Sequence, residues 1–599
     1  MSKSWLVAII ASIFLIALSL IPTYWHYQDA PLGKVYLGTH NNALDYPMFV
    51  AVINRAQRGK WLNKAVFTSE SQPQDFVHWI YIPLGKFTSL LSINAIATYQ
   101  LGRIIFGLAL SLATFYFISI LFGNKTTLLI LGSFFLTLFS AGFSRFAHIN
   151  GRLEPSGSYL SWWTGGDVLR RATFQPHAML KNTLLLLILA LFTQKFKESR
   201  KINAKISNFK FQISNLVLSL AGFLLGIHDP MNTLSIFGLL GLYSLFQLFK
   251  NRLNLAKTLA KLPIKLFLSY SVFSLLGLFL TFWAFKYTPW KSVSNWESHQ
   301  FYPVPFWEYA NHLGPIFYLG IPGLLLLSLS TILKSKNTKS ESPNSKQSHS
   351  LRFSSLSLIS NFKFQISNSQ PNRFLVWSSS ILTFSALFMI LSGITKDSGL
   401  STLRFFQTPV HIFLSIGTAY LLWILAKILA QSIHRISNFK FQISNLIYCL
   451  FVVTTLLITL PAYSISLESQ RQEWSTLYWN IYIDRESLKT LEKLKDISDV
   501  DDVVMGNDLV GQVVPTVSGN IVYVGHMVST INFTQKFALT RSFFSGKMSL
   551  SEARQFLLDS HAKYLVTMYP EGEKVNPQTL PYLTPIDIGP TLQLYSISL

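Results

Sequence analysis

Two kinds of side chain in this chain of 599 residues could carry group-transfer chemistry, acids and arginines, and they recur in a few short segments. Asp45 stands in HNNALDYPMF, where a carboxylate could take a proton from a hydroxyl or hold a cation. A second acidic pair, Glu154 and Asp167, lies in FAHINGRLEPSGSYLSWWTGGDVLRRATFQPHAMLKN, which also carries His148, Arg170, Arg171 and His177. Paired arginines such as Arg170 and Arg171 match the oxygens of a phosphate or pyrophosphate with parallel donors. Arg404, in SGITKDSGLSTLRFF, has the same capacity or snorkels to a membrane surface. Each residue also has an ordinary use. Asp45 suits the cap of a helix start equally well, and the second acidic segment reads as an interfacial loop with Trp anchors and solvated charges. His148 and His177 could join a carboxylate around a divalent metal ion, but their spacing matches no compact metal motif. Cys449 is the sole cysteine, so disulfides and cysteine-cluster metal sites are excluded.

The elements that must position these groups are membrane spans. Half of the residues are hydrophobic and only 13% are charged, against about a quarter charged in soluble domains. Apolar runs long enough for a hydrocarbon core of roughly 30 Å lie at about 5–22, 98–121, 126–142, 178–194, 213–227, 231–249, 265–285, 315–333, 375–393, 408–430 and 446–464. The first lacks a cleavage site beyond its apolar run and reads as a retained anchor. The formal charge of +23 would suit a nucleic-acid partner, but its distribution excludes that reading. The basic residues crowd loops near 195–212, 250–265 and 334–374, where acids are almost absent. This is the positive-inside pattern, with anionic membrane lipids as natural contacts. It predicts a cytoplasmic N-terminus in a cytoplasmic (inner) membrane. Segments 23–97, 143–177 and everything after 465 then lie outside, together with most of the acids.

The first outer segment starts with Asp45 and an amphipathic helical pattern that ends at Gly59 and Lys60. A polar turn with Glu70, Pro73 and Asp75 follows, then an aromatic run from Phe76 to Tyr81 with Trp79 and Tyr81 suited to the headgroup level. Arg103 comes early in the second span, where a charge faces the protein interior or a polar cavity. In that order, Asp45, the RGKW turn, Glu70 with Pro73, the aromatic run and Arg103 resemble the GT-C membrane glycosyltransferases that use polyprenyl-phosphate sugars, the class of the protein mannosyltransferases and aminoarabinose transferases. Two departures are visible: Tyr46 replaces the usual second acid, and the double proline is reduced to Pro73.

The resemblance implies a mostly α, GT-C-like polytopic protein with about 11 transmembrane helices over 1–464. It also implies a second acidic contribution from the second outer segment, from Glu154 or Asp167. The implied donor is a polyprenyl-phosphate sugar, with transfer to an envelope acceptor at the outer face. Asp45 would serve as base or metal ligand, and Glu70, Arg103, Arg170, Arg171 and Arg404 would bind substrate. A divalent metal ion is a possible cofactor on the same grounds. The alternative is a non-catalytic scaffold or a transporter or assembly protein for envelope glycolipids. Transporters favour polar breaks within their spans; the spans here are mostly clean, which favours the enzyme.

Residues 465–599 change character. ESLKTLEKL and SLSEARQFLLDSHA have helical periodicity, and DDVVMGN, NIVYVGH and KYLVTMY read as short buried strands, giving a small outer α/β domain. This tail also resembles that of bacterial GT-C-like proteins, and no role follows for His526. His228 and Asp229, in GIHDPMN, read first as a capped turn. The loop at 286–314 has aromatic rings that suit sugars and interfacial belts alike. The phrase ISNFKFQISN, at 206–215, 359–368 and 436–445, falls in or beside the cytoplasmic loops and contains no acid, His or Cys. It reads as a tolerated duplication, with a docking site for a cytosolic partner as the sharper alternative.

Overall fold

A computed structural model describes residues 2–123, 127–149, 152–156, 167–198, 208–259, 262–299, 303–337, 371–398, 401–406, 409–434, 442–570 and 573–598. Among the described residues, nine helices are long and apolar enough to cross a membrane, from Lys3–Gln28 to Ile443–Arg471. Two shorter apolar helices, Thr127–Phe139 and Asn215–His228, stand where the remaining predicted spans fall. The chain is a multi-pass membrane protein. Its helices bury one stripe and expose residues such as Ile10, Phe14, Leu275 and Phe279, the expected arrangement where lipid is the solvent.

Small residues let two helix pairs approach closely, as membrane packing favours. Asn208–His228 meets Ile264–Ala284 at Gly226 and Gly277, where a Cβ on Gly277 would lie 2.5 Å from the Phe223 carbonyl oxygen. Pro315–Asn337 meets Val410–His434 at Gly323 and Gly417, where a Cβ on Gly323 would lie 1.9 Å from the Gly417 carbonyl oxygen.

Outside the helical body, five strands form one sheet in the order β6 (Ile521–Val522), β5 (Val503–Met505), β7 (Ala562–Thr567), β9 (Gln593–Ile597), β8 (Leu583–Ile588). β5 runs parallel to β6 and β7, while β9 is antiparallel to β7 and β8. Helices Arg485–Ile497, Asp508–Val517, Phe533–Phe544 and Leu550–Asp559 accompany the sheet. The last begins with a complete Ser549–Glu552 capping box, which satisfies two otherwise unpaired helix-start donors.

The first outer segment is part of this domain's core. Leu37, Ala51, Val66 and Phe67 pack with Leu491, Val504, Val510, Val514 and Leu594. β1 (Lys34–Tyr36) pairs antiparallel with β4 (Tyr482–Asp484). From helix Asp45–Gln57, Arg55 donates to Asp501 at 2.5 Å and to the Val500 and Gly519 carbonyls at 2.8 and 3.3 Å. Burial raises the Asp501 carboxyl, but hydrogen bonds from Lys60 and Arg55 outweigh it and hold it at about 2. The C-terminal domain is therefore built on the segment that carries Asp45.

Three local expectations change. Asp45 is the first residue of its helix, Leu44 occupies the cap, and no side chain caps that end. Tyr81 is fully buried and hydrogen-bonds His177 Nδ1 at 2.9 Å, so it is no headgroup anchor. The aromatic run leads into a separate helix, Tyr81–Ser89, before the span Ala95–Phe122 begins. Of the ISNFKFQISN copies, 359–368 lies outside the described residues; the described parts of the others run into helices Asn208–His228 and Gln442–Leu457.

Candidate functional site

Asp45 opens the helix Asp45–Gln57, which packs into the core of the C-terminal domain. Asn42 Nδ2 donates to its Oδ2 at 2.8 Å, and His526 Nε2 stands 3.6 Å from Oδ1. The side chain remains 37% exposed, so it is both held and reachable. His78 lies nearby, its ring centroid 5.0 Å from Phe49, 5.5 Å from His177 and 6.1 Å from Trp290. Burial pushes His78 down to about 4, with Asp45 opposing and Arg404 adding to the effect. It is accordingly neutral at ordinary pH.

A second charged group is held on the membrane body. Arg404 forms a bidentate ion pair with Glu297 and lies in the field of Asp229 and Asp45 as well. Its side chain is 49% exposed. Lys181 stands 3.5 Å from Asp229 and within the influence of Arg404 and Glu297. Asp229 also caps the helix Pro230–Lys250, accepting from Asn232 N at 3.0 Å and Asn232 Nδ2 at 2.7 Å. The capped turn expected at GIHDPMN is present, with an added cation.

Asp75 fixes one wall. Its carboxylate is buried, accepting from Val77 N at 2.8 Å and from Trp290 Nε1. Burial raises it to about 7 against the pull of those two donors. Trp290 starts the helix Trp290–Ser298, which carries Glu297. Asp75 thus ties the first outer segment to the partner of Arg404.

The other acids and arginines singled out from sequence are engaged differently. Asp167 caps Val168–Ala172 through Leu169 N and Arg170 N, each at 2.9 Å, and accepts from Ser466 at 2.6 Å. Arg170 pairs with Glu473 at 3.0 Å. Arg171 donates to the Ser140 carbonyl at 2.7 Å, beside the end of Thr127–Phe139. Arg103 is 1% exposed and bonded to Thr173, Thr23 and Gln100. Burial raises the Glu70 carboxyl, but Lys536 and Thr68 bind it and bring it below its ordinary range. The Lys536 contact, at 2.8 Å, ties the first outer segment to Phe533–Phe544. Glu154 is on β3 (Arg152–Ser156), opposite Ala147 of β2 (Arg145–Ile149); its side chain, like His148, lies outside what is described.

Of the predicted set, then, the structure leaves Asp45 partly exposed beside His526, pairs Arg404 with Glu297, and gives Asp167, Arg170, Arg171, Arg103 and Glu70 packing partners. Sequence reading missed the roles of His526, Glu297, Lys181 and Asp75. The first two are far from Asp45 along the chain, and nothing in their local pattern signals convergence. Asp75 sat in plain view beside Pro73. Among the described residues, no group of three or more His, Cys, Asp or Glu side chains converges as a metal ion requires.

No protein-family model and no curated protein sequence matches the chain. Solved structures do. The apo oligosaccharyltransferase of Archaeoglobus fulgidus aligns with a TM-score of 0.53 at 11% identity, covering 94% of this chain and 70% of that one. The chain has the GT-C fold. Two further GT-C structures align over all of this chain at lower scores. ArnT from Cupriavidus metallidurans, bound to undecaprenyl phosphate, gives 0.43 at 11% identity over 98% of its length. The mycobacterial arabinofuranosyltransferase AftD gives 0.46 at 12% identity over 40% of its length. At such identities the likeness concerns the GT-C architecture alone.

Proposed function

We propose that the chain is a glycosyltransferase that moves a sugar from a polyprenyl-phosphate donor to a hydroxyl acceptor at the outer face of the cytoplasmic membrane. The observation that supports this best is a carboxylate, Asp45, held by Asn42 and His526 yet partly exposed, in a GT-C fold with Arg404 among the charges that act on it. Asp45 takes the proton of the acceptor hydroxyl as that oxygen attacks the anomeric carbon. The carbon–oxygen bond to phosphate breaks, and polyprenyl phosphate leaves with the electron pair. Arg404 offers its guanidinium to the departing phosphate, exchanging part of its pairing with Glu297, and Lys181 adds positive potential behind it. General-base help of this kind contributes about 10²- to 10⁴-fold to a rate.

The reading requires the Asp45 face and the C-terminal domain to lie outside, as the basic loops suggest. The test is release of undecaprenyl phosphate by the full chain in nanodiscs. The donors are undecaprenyl-phosphate-linked mannose, glucose, arabinose and aminoarabinose, with an envelope extract as acceptor. Release from at least one donor is expected. No release from any of the four rejects the reading.

A further inference from the structure

His526 belongs to the outer domain, 481 positions beyond Asp45 in sequence, yet its ring is aimed at that carboxylate. The ring is buried, with 7% of the side chain exposed, and lies 5.6 Å from Phe67. Its two nitrogens have distinct partners. Nδ1 accepts from Val528 N at 3.2 Å and Ser529 N at 3.1 Å. An imidazole nitrogen that accepts from backbone N–H groups carries no proton, so in the neutral ring the proton sits on Nε2. Nε2 makes no hydrogen bond within the described residues, and the nearest acid is Asp45 Oδ1 at 3.6 Å. A buried N–H without an acceptor is costly. A catalytic contact that is long in the empty site commonly tightens once substrate is bound.

The loop behind the ring is rigid. His526 O accepts from Ser529 N and Thr530 N, and Thr530 Oγ1 donates to Phe67 O at 2.7 Å. Gly525 touches Gly511 so closely that a Cβ on Gly511 would lie 1.9 Å from the Val524 carbonyl oxygen. This loop cannot swing away without disturbing both Asp508–Val517 and the first outer segment.

We propose that His526 is a positioning residue: the outer domain completes the site by presenting the Nε2–H of His526 to Asp45, opposite the Asn42 amide. The inference rests on the reading of Asp45 as the base. It also assigns His526 a role incompatible with metal ligation, since Nε2 carries the proton and Nδ1 is occupied.

Two substitutions separate the two ends of the ring. His526→Asn keeps an acceptor where Nδ1 stands, so the loop stays capped, but loses the donor facing Asp45. His526→Gln keeps a donor near Nε2 and loses the loop acceptor. Partners that orient a reacting group typically cost about ten- to hundredfold when removed. With the undecaprenyl-phosphate sugar that the wild-type chain uses, His526→Asn should lower kcat by that factor with KM and the unfolding midpoint little changed. His526→Gln should recover most of kcat despite a lower midpoint. Wild-type kcat in His526→Asn, or failure of His526→Gln to exceed it, overturns the proposal.

A second readout needs no turnover. In full-length protein labelled with ¹⁵N-histidine, the signals missing from His526→Asn identify the ring. They should show the Nε2–H tautomer and move in Asp45→Asn. An Nδ1–H tautomer, or signals indifferent to Asp45→Asn, refutes the pairing. If no donor is turned over, the transferase reading fails alone and the ¹⁵N signals still decide the pairing.

Discussion

Replacing Asp75 by asparagine should change how the stability of this protein depends on pH, and the size of the change can be worked from the site. The buried carboxyl is raised from 3.8 to about 7 in the folded chain. That is roughly three units, each about 1.4 kcal/mol. In the unfolded chain the same group loses its proton near 3.8. Between those limits the folded state binds more protons than the unfolded one. Stability therefore falls as pH rises, by at most about 4 kcal/mol in total, and levels off above about 7. The asparagine side chain of the variant stays neutral throughout and can still accept from either Val77 N or Trp290 Nε1. The wild-type chain should be the more stable of the two at about pH 4.5 and should lose that advantage by about pH 7.5. Thermal unfolding in detergent micelles, followed by tryptophan fluorescence at intervals of about one pH unit, reads the difference between the two curves. Trp290→Phe removes a donor that lowers the Asp75 carboxyl, so its window should extend further upward in pH. Parallel curves for wild type and Asp75→Asn across the range would refute the reasoning.

Other outcomes follow from the same contacts. Arg55→Met removes the charge-assisted bond to Asp501 and two carbonyl contacts, and should cost roughly 2–3 kcal/mol of outer-domain stability, read by denaturant unfolding near pH 7. Asp501, held at about 2, contributes stability above about pH 4 that is lost as pH falls toward 2. Arg55→Met should shrink that loss. Arg404→Ala should raise the KM for the lipid-linked donor by about tenfold or more while leaving the fold intact, since hydrogen bonds to charged groups are worth about 1.5–3 kcal/mol. Gly511→Ala should push the His526 loop away from Asp45 and lower turnover on the order of a hundredfold, with unchanged membrane insertion checked by detergent extraction and gel filtration.

The membrane architecture was legible because apolar length is a strong signal. Every predicted span coincides with a helix, and even the short one at Thr127–Phe139 was visible. The tail was legible through a local property, the helical periodicity of ESLKTLEKL and SLSEARQFLLDSHA. The association of the first outer segment with the tail was not, because β1 pairs with the distant strand Tyr482–Asp484 and Phe67 enters a core assembled from distant pieces. The same limit governs the site. Asp45 and Arg404 were singled out by residue type and by the loops that carry them, but the partners each acquires, His526 and Glu297, depend on tertiary packing. Asp167 and Arg170 resemble site residues in composition, and only their partners, Ser466 and Glu473, show them bracing the tail. Ser466 lies in the last helix, Ile443–Arg471, and Glu473 just beyond it, so the segment around Asp167 is fastened to the end of that helix.

The central claim is that Asp45 is the base of a transfer from a lipid-linked donor. It is tested most directly by the turnover of Asp45→Asn in nanodiscs, with the undecaprenyl-phosphate sugar that the wild-type chain uses. This substitution keeps the shape of the side chain and its contact with Asn42 through a flipped amide, and removes the capacity to take a proton together with the oxygen that faces His526. The account predicts a fall of at least about 10²-fold in kcat with donor binding retained. Turnover of Asp45→Asn at the wild-type rate would contradict it.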